Sequence, residues 1–151
     1  MPRNLDEEPS VLPVVRFMIA CEDILRDPEH PHKISLVNLI NRIRPADQEE
    51  YPLIVEEFCV FVQMTECRGR GELHLQMVHA DSGELIFRTQ SREVQFANQP
   101  LSVLGIPFRI LEGLFPVPGL YYLELWYNST CVSQHPLILE NPDRETAKIE
   151  D

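Results

Sequence analysis

The stretch PVPGLYYLELWYNSTCVSQHPLIL, Pro116–Leu139, decides the fold. Pro116-Val117-Pro118-Gly119 has the chemistry of a turn, because proline presets φ and glycine supplies a positive φ that other residues resist. From Leu120 the chain alternates. Tyr121, Leu123, Leu125 and Tyr127 fall on one side, and Tyr122, Glu124 and Trp126 on the other. A period of two is the mark of a strand with one face against a core. Asn128-Ser129-Thr130 then reads as a turn, and Cys131–Leu139 as the returning strand of a hairpin. The same three residues match a glycosylation sequon, but the turn is the reading that fits an unexported chain.

Outward from this hairpin the same grammar recurs. Val14–Leu25 alternates Val15, Phe17, Ile19 and Cys21 on one face, which reads as the core side. Asp27–His32 holds two prolines and turns the chain into Lys33–Ile43. Within that run Leu36, Leu39, Ile40 and Ile43 also suit a helical period, but the segment is too short for a typical helix, so a strand is expected. Ile54–Thr65 carries Phe58, Val60, Val62 and Met64 on one face and Cys59 and Phe61 on the other. Two apolar faces predict a central strand covered on both sides. Arg68-Gly69-Arg70-Gly71 turns into Glu72–His79, with Leu73, Leu75 and Met77 inward. Ala80-Asp81-Ser82-Gly83 then links it tightly to Glu84–Thr89 as a hairpin. Val94–Phe96 is a short strand. Ser102–Glu112 has Leu104, Ile106, Phe108 and Ile110 at period two, and Pro107 within it demands an edge or a break. Seven or eight short strands predict an all-β, antiparallel, immunoglobulin-like β-sandwich rather than a barrel.

The 151 residues suit one domain. Residues 1–12 read as a disordered tail, 13–139 as the sandwich, and 140–151 as an acidic tail too poor in apolar residues to order itself. The net charge is −11, and eight of those negative charges fall in Met1–Ser10, Asp47–Glu50 and Glu140–Asp151. The body is therefore near neutral and the excess serves solubility. An acidic chain is a poor partner for nucleic acid or for an anionic membrane. The first residues lack a basic start followed by an apolar run, and no stretch approaches a membrane span, so a cytoplasmic location is expected.

Several segments together resemble a family of small bacterial proteins, a domain of unknown function. They are CEDILRDPEHPHKISLVNLINRI (Cys21–Ile43), RGRGELHLQMVHADSGELIF (Arg68–Phe87), VQFANQPLSVLGIPFRI (Val94–Ile110) and LFPVPGLYYLELWYNSTCVSQHPLIL (Leu114–Leu139). The resemblance spans Val14 to Leu139 and rests on fold marks, notably Phe115–Tyr121 and the Arg-Gly pairs. It implies a compact β-sandwich and no established activity. Similar proteins place a Gly-containing turn where this chain has Asn128-Ser129-Thr130, which predicts a slightly longer loop.

Catalytic signatures are absent. No nucleophile elbow, phosphate loop or dinucleotide fingerprint occurs. Glu22-Asp23, Glu49-Glu50 and Glu56-Glu57 are adjacent pairs whose side chains diverge on a strand. His30, His32, His74, His79 and His135 lack metal-ligand spacing, and His74 and His79 fall on opposite faces. No metal and no cofactor are expected. The four cysteines read as reduced and mostly buried, with Cys21 in the core. Cys67, beside Arg68 and Arg70, is the candidate reactive thiol, because neighbouring cations depress a thiol pKa. Tyr122 and Trp126 are candidate binding anchors if their sheet face is open. Arg68 and Arg70 are candidate contacts for an anion. The function expected is a non-catalytic interaction module with a protein partner or a second copy of itself. A small anionic ligand binder using Arg68 or Arg70 is the alternative, and a hydrolase of unfamiliar geometry is the third class.

Overall fold

A computed structural model describes residues 11–46, 49–96 and 102–141. Among them the regular structure is all β and divides into two sheets, neither closed into a barrel. The ten strands are β1 (Val14–Arg26), β2 (Ile34–Leu39), β3 (Arg42–Ile43), β4 (Leu53–Thr65), β5 (Arg70–His79), β6 (Leu85–Arg88), β7 (Arg92–Gln95), β8 (Leu104–Phe115), β9 (Gly119–Tyr127) and β10 (Thr130–Leu139). One sheet has the order β2-β1-β4-β8. The other runs β3-β10-β9-β5-β6, with β7 also on β5. Among the described residues no helix is long and apolar enough to cross a membrane.

The described residues form ten strands rather than the expected seven or eight, and one of the added strands has an identifiable origin. The run Lys33–Ile43 is one apolar segment in sequence but serves both sheets. β2 pairs with β1, and the Ile40 amide still donates to Ala20 in that sheet. One residue later the Asn41 carbonyl accepts from Ile138 of the other sheet, where β3 lies parallel to β10. That parallel pair departs from the purely antiparallel expectation. Both sheets contribute to one core, with Phe58, Val60, Val62 and Met64 of β4 meeting Leu73, Leu75, Leu123, Leu125 and Leu137 from the opposite sheet. Burial of each such side chain contributes about 1.5–3 kcal/mol. Pro107 sits on β8, an edge strand of the four-stranded sheet, where its missing N–H breaks no ladder. Arg92 of β7 donates to the Pro107 carbonyl at 2.9 Å and lies over the Phe108 ring, tying the two sheets along that side.

Two local expectations change. The ladder between β1 and β4 shifts register between Val15 and Phe17. A bulge inserts one residue and flips the faces beyond it. Met18 and Ala20 therefore enter the core, while Phe17, Ile19 and Cys21 stand on the outer face of the four-stranded sheet. Cys21 is buried, but on that outer side. The second change is the turn between β9 and β10, which is a two-residue loop rather than a longer one, since Tyr127 pairs directly with Thr130. Asn128 adopts a φ of 52°, a conformation asparagine tolerates better than most residues, and its side chain accepts from the Glu72 amide at 3.0 Å. Gly119 takes a positive φ of 132° at the preceding turn, and Tyr121 clamps that turn by donating to the Val117 carbonyl at 2.6 Å.

At the ends of the body, Val11 bridges to Arg68. Glu140, assigned by composition to the tail, is tied down: its amide donates to Ile43 and its carbonyl accepts from Tyr51. Residues 1–10 and 142–151 of the expected tails lie outside the described residues, as do Asp47 and Gln48 of the acidic loop.

Candidate functional site

The outer face of the six-stranded sheet is built by β5, β9 and β10, which lie side by side at its centre. Alternation on β9 sends Tyr121, Leu123, Leu125 and Tyr127 into the core and leaves Tyr122, Glu124 and Trp126 outside, each half-buried. Register then assembles three cross-strand rows. Val78, Tyr122 and Pro136 form one, Gln76, Glu124 and Gln134 the next, and His74, Trp126 and Cys131 the third. Directly opposed side chains in a sheet stand within contact distance, so each row is a chain of neighbours.

The middle row is closed by hydrogen bonds. The Gln76 and Gln134 amides donate to the two oxygens of Glu124, each at 2.9 Å, and the Trp126 indole N–H donates to Oε1 at 3.3 Å. Partial burial pushes the Glu124 carboxyl up, but the three donors together outweigh it and hold its pKa below the ordinary carboxylate value. The network continues along β5. Gln76 Oε1 accepts from His74 Nε2 at 3.4 Å, and His74 Nδ1 accepts from the Arg88 guanidinium at 3.4 Å, an arrangement that requires the neutral imidazole. The imidazole and indole rings lie parallel within 10° at 6.1 Å between centroids. His74 is only 5% exposed although it stands on an outer face. Burial first and the Arg88 charge second lower its pKa, against a smaller opposing effect of Gln76. Trp126 is thus held from two sides, by a carboxylate on its N–H and an imidazole against its ring.

The other expected site residues lie elsewhere. Arg68 and Arg70 are exposed at the entry to β5, where the backbone rather than the guanidinium groups is engaged: the Arg70 carbonyl accepts from Tyr127 at 3.1 Å. Arg70 shares the outer face with His74 by alternation, two pleats away. Cys67 is 6% exposed and belongs to the core cluster, and its thiol donates to the Thr65 carbonyl at 3.5 Å. Burial pushes that thiol up, opposite to the direction that Arg68 and Arg70 would impose. His74 and His79 do face opposite sides, since His79 meets the edge of the core ring of Tyr121 at 4.9 Å between centroids. Among the described residues no three histidine, cysteine or acidic side chains converge as a metal site would require.

The sequence marks Tyr122 and Trp126 but not Gln76, Arg88 and Gln134, which support Trp126 through Glu124 and His74, and it marks His74 only as a candidate metal ligand. Alternation places each of these residues outside its own strand. Only the register of β5 and β10 on β9 sets them beside Trp126, and two separate hydrophobic patterns do not encode that register. No protein-family model matches the chain, and no curated protein matches it significantly.

Proposed function

We propose that this chain is a non-catalytic protein-interaction module whose docking surface is the outer face of the six-stranded sheet, with Tyr122 and Trp126 as its anchors. The observation that carries this reading is the fixed Trp126 side chain, half-buried and held by Glu124 and His74. A large aromatic that is already immobilised loses little side-chain entropy when a partner covers it. The Glu124 carboxylate is engaged by three donors, which suits presentation rather than acid–base chemistry. The finer architecture belongs to the same reading: two sheets around one core, joined by a segment that changes sheet, support an immunoglobulin-like sandwich. The four free cysteines suit a reducing, cytoplasmic setting.

The test is a photo-crosslinking residue at Gln134, which is exposed beside the row. A discrete crosslinked product, either with one partner or with a second copy, is expected. The Tyr122→Ser/Trp126→Ser variant should weaken it at least about tenfold, since anchor residues contribute about 2 kcal/mol or more. A chain that stays monomeric at high concentration and yields no discrete product overturns the proposal.

A further inference from the structure

The outer face of the four-stranded sheet carries a row of its own, running Leu39, Cys21, Cys59 and Arg109 across β2, β1, β4 and β8. Cys21 and Cys59 are directly opposed, so both thiols stand on the same face. They are 0% and 1% exposed, yet neither belongs to the core cluster between the sheets. Arg109 stands beside Cys59 and is paired with Glu57 and Asp23, all three on the solvent side.

The backbone fixes the spacing. Because the Ala20 carbonyl accepts from Ile40 on the β2 side, the polar groups of Cys21 face β4. The pair is therefore the hydrogen-bonded kind, with Cα atoms about 5.5 Å apart. That lies inside the range a disulfide spans, while the Cβ atoms stand about 1 Å farther apart than a relaxed bridge prefers. The Cys59 thiol leans over β1, 4.0 Å from the Glu22 carbonyl.

We propose that Cys21 and Cys59 are a reversible dithiol–disulfide pair, closed by low-molecular-weight disulfides and reopened by low-molecular-weight thiols. The Cys59 thiolate attacks one sulfur of the small disulfide, forming a mixed disulfide and releasing one thiolate that takes up the Cys59 proton. The Cys21 thiolate then attacks the Cys59 sulfur, closing the bridge and expelling the second small thiol with the Cys21 proton. The chain loses two electrons and two protons, and the small disulfide is reduced to two thiols. Cys59 is the entry thiol because Arg109 favours its thiolate, although burial still leaves its pKa raised. Cys21 is pushed up to about 11, by burial first and Cys59 second, so exchange is slow at neutral pH and faster in alkali. The stretched spacing makes the bridge easily reduced, a switch and not a staple.

The experiment incubates the full chain with oxidised glutathione, denatures it in alkylating reagent and maps the peptides. Two of the four thiols should be lost, with a linked peptide joining Cys21 to Cys59, and Cys67 and Cys131 should be alkylated. Excess reduced glutathione should restore all four. The Cys67→Ser/Cys131→Ser variant, which keeps only the pair, should lose both its thiols. Full alkylation of Cys21 and Cys59 after oxidation, a persistent glutathione adduct on either, a bridge to Cys67 or Cys131, or a bridge that resists reduced glutathione each overturns the proposal.

Discussion

Among the described residues the two outer faces bury side chains without a further sheet over them, and they do so by opposite means. On the four-stranded sheet Phe17, Ile19, Cys21, Cys59 and Phe61 cover one another. The Phe61 ring lies over Gly105, where a Cβ would come within 2.7 Å of it, and 5.8 Å from the ring of Phe17. On the six-stranded sheet the cover is a hydrogen-bonded row, Gln76, Glu124 and Gln134, that continues through His74 to Arg88. Apolar burial is strong but non-directional, and it holds a sheet together without fixing how a ring is turned. Hydrogen bonds contribute less but are directional, and they turn Trp126 to one pose. Stability should therefore concentrate on the first face and presentation on the second.

The hardest blow to that contrast is at Phe61. Phe61→Ala removes a ring that is 5% exposed and leaves a gap over Gly105. It should destabilise the chain by about 3–4 kcal/mol, read as a lower chemical-denaturation midpoint. Trp126→Ala, on a half-buried ring, should cost about half as much. Equal losses would mean that the polar face is as much a part of the stabilising body as the apolar one.

The sequence shows why one face was easier to read than the other. Tyr121, Leu123, Leu125 and Tyr127 announced the core side of β9, because burial on one face is written residue by residue. Phe58 to Met64 announced a central strand with two apolar faces, and β4 does lie between β1 and β8. Phe17, Ile19 and Cys21 look like core in the sequence because a single inserted residue at the bulge leaves the alternation unbroken. The division of Lys33–Ile43 between sheets was hidden for a related reason: Ile40 and Asn41 change hydrogen-bonding partners without any proline or glycine to mark the place. At the site, Tyr122 and Trp126 are visible as outward aromatics, but the donors that fix Glu124, and through it Trp126, come from β5 and β10 through register alone.

Glu124 tests whether the polar row is what holds Trp126. Glu124→Ala leaves two amide groups and the indole N–H without their acceptor, which should cost about 1–3 kcal/mol. Glu124→Gln keeps one acceptor oxygen and should cost less. Trp126 is the only tryptophan in the chain, so its emission reports on the pose directly. A red-shifted and broadened emission is expected for Glu124→Ala in the folded state, with a smaller change for Glu124→Gln. Unchanged emission in both would show that His74 and the sheet alone position the ring.

The finest distinction is pH. The neutral form of His74 is favoured in the fold, so its pKa lies below the ordinary histidine value of 6.5. As pH falls through that value the unfolded chain takes up a proton that the folded chain refuses, and stability declines. Glu124 acts lower down. Its folded pKa lies below the ordinary value of 4.5, so its contribution is complete above that pH and is lost as pH falls through the folded pKa. On the apolar face burial keeps the Cys21 and Cys59 thiols neutral. Acid should therefore loosen the polar face in two stages, first at His74 and then at Glu124. His74→Gln should remove the first stage and keep the second, measured as unfolding midpoint against pH from about 7.5 to about 2.5 with Trp126 emission as the probe. If wild type and His74→Gln decline in parallel between pH 6.5 and 5, the imidazole is not coupled to folding, and the hydrogen-bonded row ends at Gln76.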